Sequence, residues 1–75
     1  MEETITIDGV TFAQGDSWAA QVLIDSQWVD CFVQWDWEAF GYVHPVVTGR
    51  KIIYYALEDN SSHRTFDASL FRKRP

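Results

Sequence analysis

The chain has 75 residues, a formal net charge of −5 and a single cysteine. That length makes one domain, residues 1–75, and one cysteine excludes an internal disulfide. No apolar run approaches the roughly 20 residues needed to cross a bilayer, and the acidic balance opposes long-range attraction to nucleic acid or anionic lipid.

The elements, in chain order, follow strand periodicity. Met1-Glu2-Glu3 is acidic and gives no signal peptide, so a reducing cytoplasm is expected. Thr4–Ile7 alternates polar and apolar residues, Asp8-Gly9 is a hairpin turn signal, and Val10-Thr11-Phe12 resumes the alternation. Gln14–Ser17 turns the chain. Trp18–Ile24 places Trp18, Ala20, Val22 and Ile24 on one face. After Asp25-Ser26-Gln27, Trp28–Trp35 places Val29, Cys31, Val33 and Trp35 on one side. Asp36–Gly41 reads as a loop. Tyr42–Val47 reads as an edge or bulged strand because Pro45 lacks a ladder donor. Thr48-Gly49-Arg50 reads as a turn. Lys51–Leu57 is apolar on both faces, as expected of a buried or partner-covered strand. Glu58–Arg64 reads as a polar loop, Asp67–Leu70 as one helical turn, and Phe71–Arg74 as a closing segment.

Five or six short antiparallel strands with tight turns predict an all-β closed barrel, which leaves no exposed edge. With no disulfide, its core rests on packing, and four Trp, five Phe and three Tyr supply the large side chains. Ile5, Ile7, Val10, Val22, Ile24, Val29, Cys31, Val33, Ile53, Tyr55 and Phe71 are the expected core.

The charges are unevenly placed. Eight carboxylates and no basic residue lie in Met1–Phe40, and the first basic residue is Arg50. An acidic face of this kind can meet a cationic partner or imitate a phosphate backbone. The densest chemistry is Trp35-Asp36-Trp37-Glu38-Ala39-Phe40-Gly41-Tyr42. Aromatic faces attract cations and neighbouring carboxylates strengthen the attraction. Trp35, Asp36, Trp37, Glu38, Phe40 and Tyr42, with Asp30, are therefore the candidate partner-binding residues. The plainer alternative has Trp35 and Phe40 finishing the core while Trp37 covers one barrel end.

Cys31, His44 and His63 match no zinc spacing, so no metal is expected. A barrel this small fills its own interior, and the four isolated glycines form no phosphate loop, so neither enzyme activity nor a cofactor is expected. Arg72-Lys73-Arg74 with Arg64 offers few phosphate contacts, which makes nucleic acid the weaker partner.

This order of features resembles a group of small phage-encoded proteins with SH3-like barrels. The matching pieces are Trp18, Trp28-Val29-Asp30-Cys31, Tyr42-Val43 and Asp67-Ala68-Ser69-Leu70-Phe71-Arg72, spanning roughly residues 16–75. The chain departs at Lys73-Arg74-Pro75, where the group has an immediate Pro. The resemblance implies an SH3-like barrel, a phage or prophage origin, residence in the host cytoplasm and a non-enzymatic role. It transfers no functional residues. The expectation is a module that binds and modulates or inhibits a host protein with a basic surface, such as a nucleic-acid-handling or defence factor. The rivals are a nucleic-acid-binding module that uses aromatics and the basic C-terminus, and a homodimer built on the two-faced strand Lys51–Leu57. In an SH3-like barrel the terminal strands meet, so Phe71–Arg74 is expected to neutralise Glu2, Glu3 and Asp8, leaving Asp30, Asp36 and Glu38 unpaired.

Overall fold

The computed structural model describes residues 3–75 and contains seven antiparallel strands with one 3-10 turn. The strands are β1 (Thr4–Ile7), β2 (Val10–Ala13), β3 (Trp18–Ile24), β4 (Gln27–Phe40), β5 (Val46–Leu57), β6 (Ser62–Thr65) and β7 (Phe71–Lys73). β1 and β2 pair only with each other, and the other five form a sheet in the order β6-β5-β4-β3-β7.

The turns follow from their residues. Asp8 and Gly9 (φ 49° and 78°), and Asp25 and Ser26 (φ 49° and 65°), both place two consecutive residues in the left-handed region. That conformation matches the twist of a two-residue hairpin. Asp67 caps the 3-10 turn Ala68–Leu70 by accepting the Ser69 N–H at 3.0 Å and the Ser69 hydroxyl. These two bonds hold the Asp67 carboxyl below its ordinary pKa.

The inward face of the five-stranded sheet is built by register. Ala20 opposes Cys31, Val22 opposes both Val29 and Phe71, and Trp35 opposes Ile53. The β1–β2 hairpin lies over this face and adds Ile7 and Phe12. All eleven expected core residues are buried or packed against the core, and Phe12, Ala20 and Trp35 join them.

Four expectations are corrected. The sheets do not close into a barrel: among the described residues no ladder joins the hairpin to the larger sheet, which ends at β6 and β7. The two layers are tied instead by single bonds, among them those from the Trp35 ring N–H to the Phe12 carbonyl (3.0 Å) and from the Lys73 N–H to the Asp8 carboxylate (3.0 Å). Secondly, Asp36–Phe40 is strand, because β4 runs on through the aromatics. Thirdly, Thr48-Gly49-Arg50 is a bulge inside β5. Trp37 opposes Lys51 and Ala39 opposes Val47, so three residues face Glu38 alone. Gly49 supplies the positive φ of 88° that this needs, and the Thr48 hydroxyl accepts the Arg50 N–H at 3.3 Å. The actual turn is Gly41–Pro45, which leaves Pro45 just outside the ladder it cannot serve. Lastly, Ser62, His63 and Arg64 of the expected polar loop belong to the edge strand β6.

The outcome is elongated, 39 × 25 × 18 Å, because the end of the β4–β5 hairpin projects as an arm beyond the β1–β2 cover. Truncating the core and truncating the arm should therefore have unequal costs. Ile53→Ala, at a position 1% exposed, is expected to cost about 2–5 kcal/mol in urea unfolding. Val46→Ala, on the arm at 65% exposed, is expected to stay within about 0.5 kcal/mol of wild type.

Candidate interaction surface

The seven candidate residues do not form one surface. Trp35 is buried (1% exposed) and serves the core, because β4 turns odd-numbered side chains inward and the Phe12 carbonyl takes its ring N–H. Trp37 is half-buried and meets Trp35 edge-on, with ring centres 5.3 Å apart. The cation these rings were expected to take from a partner is supplied by the chain itself. Lys51 Nζ lies 5.2 Å from the Trp35 ring and 5.4 Å from the Trp37 ring, and donates to the Thr4 carbonyl.

Asp30 is also removed from the expected site. Its carboxylate lies 3.6 Å from Arg74 Nε and accepts the Gln21 amide at 2.9 Å. The C-terminal basic segment thus neutralises Asp30 on the outward face, and Arg74 also donates to the Ala20 and Cys31 carbonyls at 3.1 Å each. Asp8 receives a backbone N–H from β7 rather than a side-chain charge. Glu3 is exposed and receives no basic side chain, and the expected pairing of Glu2 lies outside the described residues.

Asp36 and Glu38 form no ion pair among the described residues. Asp36 accepts the Gln14 amide and the Trp37 N–H, the latter at 2.7 Å, and Glu38 accepts the Thr48 hydroxyl at 2.9 Å. Phe40 and Tyr42 are exposed, at 63% and 104%. Phe40 does not finish the core, because it lines a groove on the outward face of the sheet, away from the β1–β2 cover.

The structure adds residues that periodicity missed. Val43, Val46 and Val47 are exposed on the same arm as Phe40 and Tyr42, an uncovered apolar group larger than the scattered exposure normal for a surface. The signal for it was the pair of apolar dipeptides Tyr42-Val43 and Val46-Val47 flanking Pro45. At the base of the arm, a groove of about 370 Å³ opens on the outward sheet face. Its floor is Ile52, buried outside the main core, and Phe40, Tyr54 and Phe66 line it. Basic side chains also stack on aromatics of this face: Arg72 over Trp28 at 4.3 Å, Arg74 over Phe32 at 5.2 Å and, at the groove itself, Arg50 over Phe66 at 3.8 Å.

Among the described residues no group of His, Cys, Asp and Glu could hold a metal ion, and no helix is long and apolar enough to cross a membrane. Burial pushes the Cys31 thiol up from 9.0 to about 11, against a lowering by Arg74 and with a raising by Asp30. Compared with known proteins, the chain matches no family model, no curated protein and no solved structure.

The thiol gives a clean test. Native Cys31 should resist iodoacetamide at pH 8 and react once urea unfolds the chain, as mass spectrometry would show. Because its folded pKa lies above its unfolded one, its contribution to stability is complete below about pH 9 and is lost as pH rises towards about 11.

Proposed function

We propose that this chain is a non-enzymatic protein-binding module, encoded by a phage or prophage, that modulates or inhibits a host protein in the host cytoplasm. The observation that carries the reading is the arm. It presents Phe40, Tyr42, Val43, Val46 and Val47 to solvent, while most other aromatics are packed inside or stacked under a cation of the same chain. Large amphipathic side chains such as Tyr anchor interfaces, and nearby carboxylates steer a cationic partner. Asp36 and Glu38, which carry no ion pair, stand on the strand that leads into the arm. The order of strands and turns is in keeping with an open variant of an SH3-like barrel, the architecture that the sequence resemblance implies. A host protein with a basic nucleic-acid channel is the partner such a surface suits.

A second reading rests on the outward face, where Arg72 and Arg74 lie over Trp28 and Phe32. Aromatics interleaved with Arg are the elements of a single-stranded nucleic-acid platform. A salt titration separates the two readings. Tight binding of single-stranded DNA with a steep salt slope would favour the platform.

The arm reading is tested by the double variant Tyr42→Ser, Val43→Ser. Its melting temperature should match wild type, because both side chains are solvent-exposed. Affinity capture from host lysate with mass spectrometry should lose the partner that wild type retains. Capture that survives the double variant would place the contact elsewhere.

A further inference from the structure

The groove at the base of the arm carries charges of both signs that are not joined to each other. Glu38 and Arg64 both line it. The Arg64 side chain makes no hydrogen bond or ion pair among the described residues, and Glu38 makes no ion pair. Register fixes where they stand. Arg64 on β6 opposes Tyr54 of β5, while Glu38 on β4 opposes the Thr48–Arg50 bulge of β5. Measured along β5, Ile52 lies about halfway between these levels, and β5 itself runs between β4 and β6. The carboxylate and the guanidinium therefore occupy diagonal corners of an apolar floor centred on Ile52.

That pattern complements itself. A two-fold axis over Ile52, lying in the contact plane and perpendicular to the Glu38–Arg64 line, brings each corner onto the opposite charge of a second molecule. Isologous contacts require this property: residue i meets j, and j meets i. We propose that the groove face is one half of a homodimer interface. In it Glu38 of each copy pairs with Arg64 of the other, and Phe40, Tyr54 and Phe66 are covered between them. Phe40, 63% exposed at the rim, is the side chain placed to enter the facing groove. The proposal is separable from capture of a foreign protein by the arm tip, because Tyr42 and Val43 are not among the groove residues, although Phe40 and Glu38 are shared by the two contacts.

Charge reversal tests it with a result that a structural role would not reproduce. Sedimentation velocity over a micromolar concentration series should show wild type in monomer–dimer equilibrium. Glu38→Arg sets two guanidinium groups against each other at each contact, and Arg64→Glu sets two carboxylates against each other. Each variant alone should therefore weaken the dimer by about tenfold or more. An equimolar mixture of the two variants should recover dimerisation, through a mixed pair. In that pair one contact keeps the wild-type carboxylate of Glu38 against the wild-type guanidinium of Arg64, and the other sets the two introduced groups, also of opposite sign, against each other. Circular dichroism checks that each variant is folded. If one is not, Phe40→Glu replaces it and is expected to abolish the dimer. A wild type that stays monomeric, a mixture that does not recover, or a Phe40→Glu variant that still dimerises would overturn the proposal. A monomeric wild type whose capture of a foreign protein fails in both charge variants would overturn it in favour of that protein as the occupant.

Discussion

The bond from the Trp35 ring N–H to the Phe12 carbonyl fixes how the two layers of this molecule meet. It is buried, so breaking it would strand a polar group at a cost of about 1–3 kcal/mol, a large share of the stability available to so short a chain. With that bond in place the β1–β2 hairpin lies over the middle of the larger sheet, and Ile7 and Phe12 complete the core. The hairpin strands have four residues each, whereas β4 has fourteen. At the same rise per residue, the strands of the cover are less than a third as long as β4. One layer cannot shield the other along its length. The arm follows from that mismatch.

The basic residues follow a pattern of their own. Four of the six lie over aromatic rings: Arg50 on Phe66, Lys51 on Trp35 and Trp37, Arg72 on Trp28 and Arg74 on Phe32. Only Arg74 also forms an ion pair among the described residues. Exposed cation–π contacts contribute about 0.5–1 kcal/mol each, comparable with exposed ion pairs, and they cover ring faces that water would otherwise meet. The acidic first half of the chain therefore keeps most of its charge.

The periodicity of the sequence identified the inward face well, because every second residue of Trp18–Ile24 and of residues 29–35 is apolar, while the outward face mixes polar and apolar residues. It misjudged Asp36–Phe40 and Thr48–Arg50 for one shared reason. Thr-Gly-Arg is turn chemistry, and a bulge uses the same residues as a turn: a positive-φ glycine and a hydroxyl that accepts a neighbouring N–H. Only pairing with Glu38 on the neighbouring strand distinguishes them, and pairing is not local. Trp35 was misjudged as a contact because its neighbours Asp36 and Glu38 are charged, although in a strand adjacent residues face opposite ways. Arg74 could not be assigned to Asp30 from sequence, since the two come together only when β7 pairs with β3.

The bulge at Thr48–Arg50 divides one long hairpin into two segments that share no core. Beyond it the ladder has two pairs, Ala39–Val47 and Phe40–Val46, and a strand end with so few buried contacts is expected to open below the free energy of global unfolding. Substitutions there leave the packing of Trp35, Val33 and Ile53 untouched. The exposed tip of the arm can therefore vary in sequence without disturbing the body that carries it.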